Sequence, residues 1–141
     1  MAAEVHEEGL QFILEAAFSE EQTPPANFYI GLCTDASLAE DAVMTDLTEI
    51  AAADGYAREA VLSTDAGFTS AATPADDDWK VTTASVQFEA TNTWSGAKTV
   101  FMTTAITGTA GKLICSAPLS ETRTLGNGDT LDITLQIRLN G

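Results

Sequence analysis

The chain has 141 residues, 45% of them hydrophobic, and its 21 acids against 6 bases give a net charge of −15. That length fits one domain whose core forms without staples, and the apolar content excludes a disordered chain. The charge excludes a nucleic-acid surface, which needs clustered Lys and Arg, and points to basic partner surfaces. The acids are unevenly placed, with 12 of them ahead of Arg58, the first base of the chain. No apolar run approaches the ~20 residues of a membrane span, so no membrane partner is expected. No basic segment followed by an apolar stretch opens the chain, so no signal peptide is expected.

The first expected element is a helix from Glu4 to Phe18. Leu10, Ile13, Leu14, Ala17 and Phe18 fall on one apolar stripe, and Glu4, Glu7 and Glu8 suit the positive end of its dipole. Pro24 and Pro25 end it. Residues 1–26 thus read as a helix with a Pro-containing linker and 27–141 as a β-rich body, together one domain. A helix with a single apolar stripe needs a surface to lie on, its own sheet or a neighbouring subunit.

"NFYIGLC" reads as a strand over 27–33, with Phe28, Ile30 and Leu32 on one face. The acidic stretch that follows is an exposed excursion, in which Ser37 and Glu40 have the spacing of a capping box for a short helical turn. From Tyr56 the pattern is extended again. A long loop of small and acidic residues precedes strands in "WKVTTASVQFEA", "KTVFMTTAI" and "GKLICSAPL", the last two joined near Gly111. Asn127-Gly128 has turn chemistry. Leu131, Ile133, Leu135, Ile137 and Leu139 then alternate with polar residues, which predicts one long strand with one buried face. The fold class expected is mainly β: an antiparallel sandwich or barrel-like domain of six or seven strands with one N-terminal amphipathic helix.

Catalytic chemistry finds few residues. The lone histidine, His6, sits in the first turn of the expected helix and reads as a surface residue. No nucleophile motif, phosphate loop or zinc-ligand spacing is present. Asp76–Asp78 and the segment Gly126–Asp132 read as a solvated loop and a turn ahead of cation sites. No enzyme, no cofactor and no metal are expected. Cys33 and Cys115 read as two buried thiols, with a disulfide as the alternative. Trp79 and Trp94 flank one strand region and suit a core, an interface or a sugar platform.

The order "FYIGLCTDASL", "LTEIAAADGYAREAV", then "GKLICSAPLSETRTLGNGDTLDITLQIRL" resembles small virion proteins of tailed bacteriophages. The positions that carry the resemblance are Tyr29, Leu32 and Thr34, then Glu49, Gly55, Tyr56, Ala57 and Arg58, then Gly111, Leu113, Gly128, Asp129 and Leu131. Glu59 and Cys33 stand where the pattern has Gln and His, and the acidic helix and excursion lie outside it. The resemblance implies a virion component, made in the host cytoplasm. A capsid decoration or cement protein, bound to the major capsid protein and trimeric, is the first expectation. A tail, neck or fibre-attachment protein bound to other virion proteins is the second, and a small carbohydrate-binding module a distant third. Gly55, Tyr56 and Arg58 are expected to form a structural junction, Arg58 donating to Glu49, Asp54 or a carbonyl, or else touching a partner. Leu10, Ile13, Leu14, Phe18, Trp79 and Trp94 are the candidate interface.

Overall fold

The computed structural model describes residues 2–73 and 78–139. The chain opens with a strand, β1 (Ala2–Val5), and then a helix, α1 (Glu7–Leu14), which runs into a π-helical turn over Glu15–Ser19. Strands β2 (Asn27–Cys33), β3 (Glu59–Leu62), β4 (Phe68–Thr73), β5 (Asp78–Thr83) and β6 (Val86–Glu89) follow. β7 (Ala97–Thr103), β8 (Leu113–Arg123), β9 (Thr130–Ile133) and β10 (Gln136–Leu139) complete the order. Eight strands form one curved, nearly closed barrel-like sheet in the order β3-β2-β7-β8-β1-β10-β5-β4, and β6 pairs with β9 in a second sheet.

The expected helix begins three residues late because a strand takes its first turn. Glu4 and Val5 pair with Ser116 and Cys115 of β8, while Ala2 and Ala3 pair in parallel with Gln136 and Ile137 of β10. Among the described residues β1 is therefore the link in the sheet between β8 and β10. The helix then starts where Leu10 N donates to His6 O. Its buried residues are Gly9 and Phe12, and the expected stripe of Leu10, Leu14 and Phe18 lies outward. Gly9 sets this rotation: a Cβ there would collide with the carbonyl of Ile114, so only glycine lets the helix lie directly on β8.

The long strand expected at the C-terminus is broken. Thr130–Ile133 pairs with β6, and Gln136–Leu139 pairs with β5 and β1. At the break Leu135 N donates to Thr83 Oγ1 and Thr83 N donates to Leu135 O. Thr83 thus replaces the ladder at the point where the β5–β10 pair folds over to continue as β6–β9. Ile133 and Leu135 are both buried, whereas Leu139 at the far end is exposed.

The register places Phe28, Ile30, Leu32, Val100, Met102, Cys115 and Ala117 on the inner face. The larger core cluster lies there with Phe88, Trp94 and Leu135. A smaller cluster, Cys33, Ala42, Met44, Phe101 and Leu113, sits on the outer face beneath the acidic excursion. No helical turn forms at Ser37–Glu40; the excursion instead has 3-10 turns at Met44–Asp46 and Ala52–Asp54. Tyr56 precedes its strand, which starts at Glu59. Both cysteines are free and buried.

Candidate functional site

The Gly-Tyr-Ala-Arg segment returns the chain from the excursion to β3. Gly55 has φ +83°, the left-handed conformation that favours glycine, and it closes the Ala52–Asp54 turn. Tyr56 then sends its ring into the core and its hydroxyl outward, accepting from Leu32 N at 2.9 Å and donating to Glu49 Oε1 at 2.8 Å. Arg58 grips the same carboxylate with both arms, Nε to Oε1 at 2.9 Å and Nη2 to Oε2 at 2.6 Å. Its remaining donors reach Ala105 O and Gly108 O, both at 2.8 Å, in the β7–β8 connection. The guanidinium carbon lies 5.5 Å from the centre of the Phe101 ring. One guanidinium therefore ties the excursion, the start of β3 and the β7–β8 connection together.

The electrostatics follow from burial. Desolvation lowers Arg58, but the hydrogen bonds and charge of Glu49 outweigh it and raise the guanidinium above its ordinary range. Burial first, then the Glu49 carboxylate, pushes the Tyr56 phenol up. Burial pushes the thiols of Cys33 and Cys115 up to about 12. Such thiols are poor nucleophiles at neutral pH.

Behind the junction stands an aromatic plug. Tyr56 stacks on Phe88 at 6.1 Å and meets Trp94 edge-on at 5.8 Å, and Trp94 Nε1 donates to Asp54 O at 3.0 Å. Trp94 is 1% exposed, which removes it from the candidate interface and from any role as a ligand platform. The large ring and its satisfied N–H belong to the core. His6 also departs from expectation. It is fully buried, with Nε2 2.7 Å from Ser116 Oγ and Nδ1 3.2 Å from Glu40 O. This histidine clamps β1, β8 and the excursion.

The opposite end of the barrel is open. An apolar cavity of about 320 Å³ there is lined by Phe12, Ile13, Phe28, Phe68, Val81 and Ile137, with Trp79, Lys80 and Leu139 among the other lining residues. Phe28 meets Phe12 at 6.0 Å and Phe68 at 5.8 Å, both edge-on. Leu10, Leu14, Phe18, Trp79 and Leu139 are all exposed. Ile13 joins the helix stripe to the cavity. The structure thus brings Ile13 and Trp79 to one cavity, leaves Leu10, Leu14 and Phe18 on the outward stripe of the helix, and joins Glu49, Gly55, Tyr56 and Arg58 at the junction. Glu8 fixes the helix at the open end: its Oε2 accepts from Leu113 N at 3.0 Å and its Oε1 meets Lys112 Nζ at 3.3 Å.

A protein-family model described as podophage GP4 fiber I protein gp80 matches residues 10–137. The chain belongs to that family. No curated protein matches it. As a gp80-family protein it is a structural component of the phage virion, where it meets other virion proteins. The gp80-family match spans the junction and most of the cavity lining, whereas β1, His6 and Leu139 fall outside it.

In the Gly126–Asp132 segment of this gp80-family chain the carboxylates are engaged within the chain. Asp129 Oδ2 accepts from Gly126 N at 2.8 Å and Asp132 Oδ1 from Gln87 Nε2 at 2.9 Å, so these carboxylates hold their own turn and ladder. Asp76 and Asp77 lie outside the described residues. Among the described residues no group of His, Cys, Asp and Glu is placed to hold a metal ion. Sequence reasoning missed Phe12, Phe68 and Val81, because only the curvature of the sheet turns them toward a shared cavity.

Proposed function

We propose that the protein is a fibre-associated structural protein of a tailed phage, with an assembly role and no catalytic one. The observation that carries this reading is the family match over residues 10–137, since that family is described by a fibre protein. The geometry agrees with an assembly role. The polar side chains at the junction are paired within the chain, His6 and Ser116 are sealed together, and an apolar cavity lined by Phe12 and Ile13 of α1 has the exposed Trp79 at its margin. Through the cavity end the protein would join other virion proteins.

A capsid decoration protein bound to the major capsid protein is the competing reading, drawn from sequence resemblance. Gold-labelled antibody against this chain on intact virions tests both. Label along the tail fibres supports the fibre reading. Label spread over the head overturns it and favours decoration.

A further inference from the structure

We propose that β4 pairs edge to edge with β4 of a second copy of this chain, antiparallel about Ser70, so that the sheets of two copies run on into one another. This goes beyond the placement argued above and is independent of where on the virion the protein stands.

The main sheet ends at β3 and β4, and the two ends differ. β3 is four residues long, carries Glu59, and is overlain at Leu62 by Gly67, where a Cβ would collide with the Leu62 carbonyl. Short length and charge are the usual protections of an edge strand. β4 has neither: its six residues, Phe68–Thr73, include no charge and no proline, and Thr69 and Ser70 are exposed. An antiparallel ladder uses the backbone groups of alternate residues. Gly67 O accepts from Ala84 N, and Thr83 N turns away to Leu135 O. Thr69 and Ala71 therefore turn their backbone groups to β5, whereas Phe68, Ser70 and Ala72 turn theirs to the free side. Phe68 N is taken by Thr64 O. Phe68 O, Ser70 N, Ser70 O and Ala72 N then have no partner among the described residues.

These four groups complement themselves. With two copies of β4 antiparallel about Ser70, the two Ser70 residues exchange both hydrogen bonds, and Ala72 N of each copy meets Phe68 O of the other. The backbone bonds close on a two-fold axis, which gives a dimer in place of the trimer that the resemblance implies. Phe68 and Ser70 also line the apolar cavity, so Phe68 of each copy comes beside the β4 backbone of the other at the cavity rim. Charge selects a copy over a foreign strand. An edge of this acidic chain made for a basic partner would use its acids. Residues 66–75, between Asp65 and Asp76, carry no charge at all. A neutral edge is what two chains of net charge −15 need in order to approach each other.

The test is sedimentation of the purified full chain across a concentration series. The wild-type protein should reach a dimer, and association should tighten as salt rises to about 0.5 M, because salt screens the repulsion between acidic copies. Ser70→Pro removes the outward N–H at the centre and leaves the β4–β5 ladder its bonds. It should weaken the dimer by roughly tenfold or more, since both central bonds lose their donor. Cross-linking reads the register. Thr69 of one copy should lie directly opposite Ala71 of the other, within disulfide reach. An equimolar mixture of Thr69→Cys and Ala71→Cys chains should therefore give a disulfide-linked dimer under mild oxidation. Neither variant alone should, because like positions are staggered along the strands. The native thiols are buried and stay out of the reaction. Circular dichroism checks that Ser70→Pro is folded, and the cysteine mixture decides if it is not. The proposal is overturned if the wild-type chain stays monomeric throughout, as it would if this edge received only a foreign strand. It is also overturned if association weakens as salt rises, if folded Ser70→Pro dimerises as tightly as the wild type, or if the mixture cross-links no more than its components.

Discussion

Trp94 is 1% exposed and Trp79 is 64% exposed, and each marks one end of the same barrel. Along β2 the contrast runs over a few residues. Leu32 N donates to Tyr56 at the junction end, whereas Phe28 faces the cavity at the other. At the closed end the β6–β9 sheet folds over and supplies Phe88, and the excursion supplies the carboxylate that neutralises Arg58. At the open end the helix lies on β8 but leaves its apolar stripe and Trp79 without cover. The lesson is that completeness differs by kind: the junction pairs its polar groups within the chain, although Ile106 beside it is exposed, whereas the cavity end is apolar and leaves Trp79 and Leu139 exposed.

The tryptophans give the largest expected effect. Trp94→Ala should cost about 4 kcal/mol of unfolding free energy, while Trp79→Ala should change the monomer by no more than about 0.5 kcal/mol. Urea titrations followed by far-UV circular dichroism compare them, and equal costs would dissolve the contrast between the ends. Next in size is Arg58→Ala, which strands the Glu49 carboxylate and the carbonyls of Ala105 and Gly108. Because the Glu49 side chain is 28% exposed, the cost should fall to about 2–3 kcal/mol, below that of a fully buried pair. A melting temperature unchanged by Arg58→Ala would remove the junction from the account of the closed end.

Alkali should act on the buried thiols, which have their pKa raised from 9.0 to about 12. Above pH 9 the unfolded chain releases these protons while the folded chain keeps them, so stability should be full below pH 9 and fall on the way to about 12. The loss should be on the order of a few kcal/mol. A Cys33→Ala, Cys115→Ala double variant should show a flatter decline across that window. The smallest effect concerns Thr103, whose buried hydroxyl has no hydrogen-bond partner among the described residues. Thr103→Val should be neutral or stabilising by up to about 1 kcal/mol, and a clear loss in a denaturant titration would mean the hydroxyl has a role of its own.

Much of the body was legible in sequence because its signals are local. The strand Asn27–Cys33 alternates cleanly between flanking breakers, and it forms over those residues. The mainly β, barrel-like class followed from several such runs. The misplaced elements depend on contacts distant in sequence. "AAEV" carries no strand signal of its own and is extended only because β8 and β10 receive it. The alternation from Leu131 to Leu139 is real, yet nothing local marks the break that Thr83 stabilises from across the sheet. At the candidate site, the apolar stripe of α1 was visible, but its outward turn was not, because the collision at Gly9 involves Ile114. The two tryptophans looked alike because burial is set by the sheet and not by their neighbours in sequence.

The place of β1 also orders events in time. Ala2 pairs with Gln136 and Val5 with Cys115, so β1 can complete its ladder only after more than a hundred further residues have been made. Such distant pairing raises contact order and slows the search for the native state. Until then the β8 and β10 edges stay bare, and closing that slot is a late step in folding.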